Sequence, residues 1–143
     1  MSVHTVAVRL KIPDNTAFSA LEALRRLGVG VARVERADIW QFEDSGDSGI
    51  SDAEVAAAVS RNESLFNPNK HVLEILTSPK PRDGETWIRE IPGAAVLRAP
   101  SAGSHFVSWR LFDESGSPAA ASVVREAAEK LLCNPAIETA EFA

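Results

Sequence analysis

The sequence predicts an α+β protein made of two fused ferredoxin-like units, each a β-α-β-β-α-β run whose antiparallel sheet carries helices on one face. Three observations predict it. Apolar residues switch along the chain between a period of two and a period of three to four, as strands and helices require. The segment Ser117–Ala143 reads as turn, helix, hard stop and strand, an ending that needs a sheet for the helix to lie on. The chain also repeats itself: shifted by 67 residues, Leu65-Phe66-Asn67-Pro68 falls on Leu132-Cys133-Asn134-Pro135 without a gap. The same register sets Ala53 on Ala120, Glu74 on Glu141, Ile75 on Phe142 and Ile39–Phe42 on Phe106–Trp109. Val6 and Val8 fall in turn on Leu73 and Ile75, so His71–Leu76 is expected to serve both copies. Residues 1–78 then form the first unit and 71–143 the second, sharing strand 71–76 within one pseudo-dimeric domain.

Val6, Val8, Leu10 and Ile12 alternate with Ala7, Arg9 and Lys11, the pattern of a strand with one buried face. Pro13-Asp14-Asn15 turns the chain and offers a helix cap. Ala17, Phe18, Leu21, Leu24 and Leu27 place one apolar stripe on a helix over Thr16–Leu27, and Gly28 closes it as a left-handed cap. Val29–Glu43 reads as strand, with a break at Glu35–Asp38 that makes it a hairpin, and Asp44–Gly49 as a polar loop. Ser51-Asp52-Ala53-Glu54 is a capping box for a second helix carrying Val55, Val59 and Phe66.

The strand His71–Leu76 and the proline loop Ser78–Gly84 lead into a short helix, Glu85–Ile91. Ala94–Leu97 and Phe106–Phe112 form the second strand pair around a Pro100–Ser104 loop. Ser117 caps and Pro118 opens the last helix, since the missing proline N–H has no partner to lose there. Its apolar stripe is Val124, Ala127, Ala128, Leu131 and Pro135, so Leu131→Asp is expected to unfold the second unit. Asn134-Pro135 ends the helix, because the residue before a proline is pushed out of the helical region. Ile137–Phe142 closes the chain as a strand.

A chain of 143 residues, 45% of them hydrophobic, can fill one core or two small fused ones. Its net charge of −5 and scattered Lys and Arg provide no basic face for nucleic acid. Cys133 is the only cysteine, so an intramolecular disulfide and a cysteine-rich metal site are excluded. No apolar run approaches the ~20 residues of a membrane helix, and no basic-then-apolar leader precedes Pro13. A cytoplasmic protein without nucleic-acid or membrane partners is expected.

The sequence offers little catalytic chemistry. His4, His71 and His105 lie far apart, none with the i, i+4 partner of a helix-borne zinc site. Cys133 sits on the last turn of an apolar helix with no adjacent base, as a packing residue does. Gly28-Val29-Gly30 follows a helix instead of preceding one, the wrong context for cradling phosphate. No catalytic, cofactor-binding or metal residues are therefore expected. Two groups remain as partner contacts. Trp40, Trp87 and Trp109 are of the type enriched at interface hot spots, although the same side chains fill sheet–helix cores. Lys80 and Arg82 on the proline loop form either an anion or partner contact or a solvated loop.

The octet Leu131-Leu132-Cys133-Asn134-Pro135-Ala136-Ile137-Glu138 resembles PurS, the small subunit of phosphoribosylformylglycinamidine (FGAM) synthase, whose second helix ends on Leu-Leu-x-Asn-Pro-x-Ile-Glu. Val6–Lys11 is similar to that family's first strand, and Ala20-Leu21 through Leu27-Gly28 to its first helix. The chain departs from the family by carrying two units. It also lacks the Val-Arg-x-Gly-Lys element of the second strand, reading Val34-Glu35-Arg36-Ala37-Asp38 there. The long single-chain synthase opens with a domain similar to a PurS dimer, and this chain resembles such a domain standing alone. The resemblance implies a non-catalytic subunit without a cofactor of its own. It would bridge the ATP-using synthetase and glutaminase subunits in purine biosynthesis, as a monomer or a homo-oligomer. A small-metabolite-binding or regulatory module on a ferredoxin-like scaffold is the alternative, since one scaffold hosts many functions.

Overall fold

The alternation that starts the chain produces strand β1, Ser2–Leu10. Asp14 then caps helix α1, Asn15–Arg26, by accepting a hydrogen bond from the Ala17 N–H at 3.1 Å. These elements belong to a computed structural model that describes residues 2–44, 49–91 and 104–143. Gly28, at φ +82°, closes α1 in the left-handed conformation that glycine adopts without a Cβ clash. Strand β2 spans Arg33–Asp44. Ser51 caps helix α2, Asp52–Ser60, by accepting from the Glu54 N–H. Strands β3 (His71–Leu76), β4 (Glu85–Glu90) and β5 (Ser104–Phe112) follow. Helix α3, Ala121–Ala127, runs into a π-helical turn, Ala128–Leu132, and strand β6 is Glu138–Phe142.

Among the described residues the strands form one antiparallel sheet in the order β3-β1-β2-β5-β4-β6, so the fold is α+β. Several sequence expectations change. The stretch expected to break near Glu35–Asp38 is one strand, because β5 pairs along it from Arg33↔Phe112 to Gln41↔Ser104. The first half therefore runs β-α-β-α-β. Glu85–Glu90 is a strand where a short helix was expected: Trp87, Ile88 and Thr86 fill positions between β5 and β6, and sheet packing overrides local propensity. Among the described residues His71–Leu76 pairs only with β1, and β4 takes the inner position in the second half that β1 takes in the first. Ser117 and Pro118 do not start the last helix. Pro118 bridges Phe112, and Ala120 is the N-cap. The expected strand Ala94–Leu97 and most of the loop after it lie outside the described residues.

The registers assign side chains to faces. Val6 lies opposite Trp40 and Val34 opposite Leu111, which puts these with α1, α2 and α3 on one face. Its core has two parts. Leu24, Val124, Ala127 and Leu111 pack where α1 meets α3, and Val6, Val8 and Val59 pack under α2. The other face carries Ala7, Ile39, Leu76, Trp87 and Phe106 as a third apolar cluster. Phe18, expected on the core stripe of α1, is 61% exposed, because Ala17, Ala20 and Leu24 form the stripe instead.

The end of α3 shows how one residue of phase changes a core. The Cys133 N–H donates to the Ala128 carbonyl five residues back, at 3.0 Å. That wide turn holds one more residue than an α-turn, so the stripe begun by Val124 and Ala127 continues at Leu132, 8% exposed. Leu131, expected on the stripe, is 40% exposed.

The 67-residue shift carries β2 onto 100–111, α2 onto 119–127 and β3 onto 138–143, which overlap β5, α3 and β6. It also reproduces a hydrogen-bond pattern. At Asn67-Pro68 the Asn67 side chain accepts from the Asn69 N–H, and its carbonyl accepts from the Lys70 and His71 N–H groups. At Asn134-Pro135 the Asn134 side chain accepts from the Ala136 N–H, and its carbonyl from the Ile137 and Glu138 N–H groups. In both turns the asparagine N–H donates to a side chain four residues on: His71 Nδ1 at 2.9 Å, and Glu138 Oε1 at 2.9 Å. Where β2 meets β5, Ile39 lies directly opposite Phe106, the residue that the shift equates with it. The pairing is thus symmetric about that pair, as between two copies in a two-fold dimer.

Candidate functional site

The face of the sheet opposite the helices combines the third apolar cluster with a charged one. At its centre is Glu85, 1% exposed, on the first residue of β4. The proline loop bends back over the strand to reach it. The Arg82 backbone N–H donates to Glu85 Oε1 at 2.7 Å, and the Arg82 guanidinium donates from Nε to Oε1 and from Nη2 to Oε2, each at 3.2 Å. Ser108 of β5, itself buried, donates its hydroxyl to Glu85 Oε2. Arg82 also reaches Glu74 of β3 at 3.4 Å, so the loop is tied to both halves of the sheet. The Gln41 amide fastens the same loop by donating to the Pro79 carbonyl at 2.9 Å.

Burial pushes the Glu85 pKa up. The hydrogen bonds from the Arg82 side chain, the Arg82 backbone and Ser108, together with the Arg82 charge, outweigh it and hold the carboxyl below its ordinary value. A carboxylate so stabilised is a weak base, and the Ser108 hydroxyl already spends its proton on it. The cluster closes a loop on a sheet without producing an activated nucleophile. Gly84, just before Glu85, makes this turn at φ +77°, with Leu111 O and Pro118 Cβ each 2.8 Å from where its own Cβ would stand. Beside the turn a cleft of ≈ 350 Å³ lies between Asp83, Arg125 and Phe142, with the Arg125 guanidinium 4.4 Å from the Phe142 ring centre.

The residues expected as a partner surface are dispersed. Trp87 is 0% exposed and packs on Phe106 at 5.3 Å between ring centres, so it fills the core and offers no contact surface. Trp40 and Trp109 are half-buried on the helix-bearing face. Trp40 leans on His105 at 4.4 Å, and Arg36 lies 5.7 Å above Trp109. Lys80 is exposed, whereas Arg82 is engaged with Glu85 and Glu74. The structure brings Arg82 next to Trp87's strand but unites no tryptophan pair.

Sequence reasoning missed Glu85, and no local pattern marks it: its environment comes from β5 and from a loop that folds back. It also missed two histidine contacts. Buried His4 lies 2.6 Å from Asp52 at the start of α2, and His105 lies 2.9 Å from Asp38 across the central strand pair. Asp38 and His105 are again equated by the 67-residue shift. At Cys133, burial and then the nearby Glu138 charge raise the thiol pKa, which keeps it in the unreactive form. Among the described residues no group of three or more His, Cys, Asp or Glu could hold a metal ion, and no helix is long and apolar enough to cross a membrane.

The octet that carries the family resemblance now has a structural reading. Leu132 is its core anchor, Asn134 closes the turn, and Glu138 caps the Asn134 N–H from the first residue of β6. Its residues make a joint between a helix and an edge strand. No protein-family model matches the chain, and no curated protein matches it significantly.

Proposed function

We propose that the chain is a non-catalytic structural subunit of FGAM synthase, in effect a covalent pair of PurS-like units. It would bridge the synthetase and glutaminase subunits. The observation that carries this reading is the doubled Asn-Pro joint, repeated hydrogen bond for hydrogen bond at a spacing of 67 residues. It supports two copies of one ancestral unit, and the central Ile39↔Phe106 pairing supports their association as a dimer within one chain. The same joint is the part of the sequence that resembles PurS. A protein of this kind contributes surfaces and spacing to a complex and leaves chemistry to its partners.

The test is reconstitution. The purified chain is mixed with the synthetase and glutaminase subunits of its source organism, with glutamine and Mg-ADP present. A complex containing all three chains by size-exclusion chromatography, and glutamine-dependent FGAM formation that requires the chain, is the expected result. No co-elution and no effect on FGAM formation would sink the assignment. A second reading, a metabolite-binding module, draws on the cleft at Asp83, Arg125 and Phe142, whose ≈ 350 Å³ lies within the range of small-ligand sites. Saturable binding of a small metabolite there, lost in Arg125→Ala, would favour it.

A further inference from the structure

The sheet face opposite the helices carries a basic hollow beside the Arg82–Glu85 clasp. Where β1, β2 and β5 run side by side, Ala7, Ala37 and Ser108 present small side chains to that face. They leave a hollow of ≈ 40 Å³, bordered by the longer side chains of Arg9, Arg82, Arg110, Glu35 and Glu74. Val8 pairs with Asp38 and Arg110 with Glu35, so Arg9 on β1 and Arg110 on β5 stand on either side of Ala37. Two strand spacings of about 4.8 Å separate their strands, a span that two arginine side chains can close on one small group.

The ion pairs of this face leave those two arginines over. Glu85 and Glu74 share Arg82, and Glu35 accepts from Arg33 at 3.3 Å. Arg9 is exposed and has no carboxylate partner among the described residues. Arg110 is half-buried over the Phe112 ring at 5.2 Å, and its enclosed Nε donates to no protein group. A guanidinium drawn partly out of water costs free energy unless an acceptor or a counter-charge meets it. Its cross-strand neighbours Glu35 and Glu85 are turned to other partners. Four arginines (Arg9, Arg33, Arg82, Arg110) face three glutamates (Glu35, Glu74, Glu85), which leaves a charge of +1 on a chain whose total is −5.

We infer that this hollow binds a carboxylate group, held between Arg9 and Arg110. Size and charge select that class. At about 10–15 Å³ for each water-sized group, ≈ 40 Å³ takes about three, the number of heavy atoms in a carboxylate. One negative charge balances the patch, whereas a phosphate dianion would overcompensate it beside three glutamates. The planar guanidinium is also the side chain that meets a carboxylate through paired hydrogen bonds. The inference rests on this face alone and not on the synthase assignment.

The experiment titrates the full-length ¹⁵N-labelled chain with acetate at pH 7 and constant ionic strength, following amide and arginine Nε–H resonances. Saturable shifts are expected at Arg9, Ala37, Ser108 and Arg110. Arg9→Gln, at an exposed position, is expected to weaken binding at least tenfold with an otherwise unchanged spectrum. Arg110→Lys, which keeps the charge and loses the fork, is expected to weaken it as well. Arg26→Gln removes the same charge from α1 and is expected to leave binding as it was. A blocked peptide with one glutamate side chain separates the two sources of the group. Saturation by acetate alone assigns a free acid, and saturation by both assigns an acidic protein side chain. Absence of saturable shifts overturns the inference, as does binding indifferent to Arg9→Gln, because the carboxylate is then held elsewhere. Equal weakening in Arg26→Gln overturns it too, since the response is then to net charge, and so does tighter binding of inorganic phosphate than of acetate.

Discussion

Removing the guanidinium that balances Glu85 tests the reading of the proline loop as a clasp. In Arg82→Met the methionine keeps most of the stem, while Glu85 keeps the Arg82 backbone N–H and the Ser108 hydroxyl but loses two charge-assisted bonds. Breaking a buried pair from one side costs about 3–5 kcal/mol when both charges are enclosed. Here the Glu85 side chain is enclosed but the Arg82 side chain is 31% exposed, so the value is discounted to about 2–3 kcal/mol. At about 2–4 °C per kcal/mol for a chain of this size, the melting temperature falls by about 5–10 °C.

The sign of the pH dependence separates this account from simple loss of packing. In the native protein the folded-state pKa of Glu85 is depressed, so its contribution is complete above the ordinary glutamate range and disappears as pH falls through the depressed value. In Arg82→Met burial dominates and the pKa rises, so the folded state takes up a proton before the unfolded chain does. The stability gap between the two proteins is then widest at neutral pH and narrows in acid. Urea unfolding monitored by tryptophan fluorescence between pH 4 and 8 measures it. The double variant Arg82→Met/Glu85→Gln is expected to recover at least half of the loss at neutral pH. A gap independent of pH, or a double variant no better than the single, would refute the reasoning.

Three further outcomes follow from the geometry. Gly84→Ala combines φ +77° with a Cβ only 2.8 Å from Leu111 O, and is expected to destabilise by about 1–3 kcal/mol in the same unfolding assay. Leu132→Ala removes a core side chain and is expected to cost about 2–4 kcal/mol, whereas Leu131→Asp, at a 40% exposed position, should stay within about 1 kcal/mol. That contrast, read by calorimetry, tests the π-helical turn directly. Ser51→Ala removes the hydroxyl that accepts from the Glu54 N–H and should destabilise by about 1 kcal/mol, with faster amide exchange confined to the first turn of α2.

Much of the local structure was legible because its causes are local. Asp14, Gly28 and Ser51 act on backbone groups within a few residues, so a cap or a left-handed closure is written where it occurs. The Asn-Pro joint was legible for the same reason, and its recurrence at a spacing of 67 residues is visible in the sequence alone. Strand β1 announced itself by alternation of large and small or polar residues, although both of its faces are buried: Val6 and Val8 under α2, and Thr5 and Ala7 on the other side.

Other features depend on what comes to lie opposite. Thr86, Trp87 and Ile88 are buried through both faces of β4, so no alternation marks the strand, and Glu85–Ile91 reads as a helix until β5 and β6 flank it. The continuity of β2 is likewise decided by its neighbour: Glu35, Arg36 and Asp38 look like a break in sequence, yet β5 pairs through them. Leu131 and Leu132 are indistinguishable by composition, and a single wide turn decides which one enters the core. The sequence by itself determined the caps of α1 and α2 and the two Asn-Pro joints, because short-range hydrogen bonds and proline sterics specify them. Only the tertiary structure decided the place of β4, the burial of Trp87 and the ionised Glu85, because each depends on the strand or loop that packs against it.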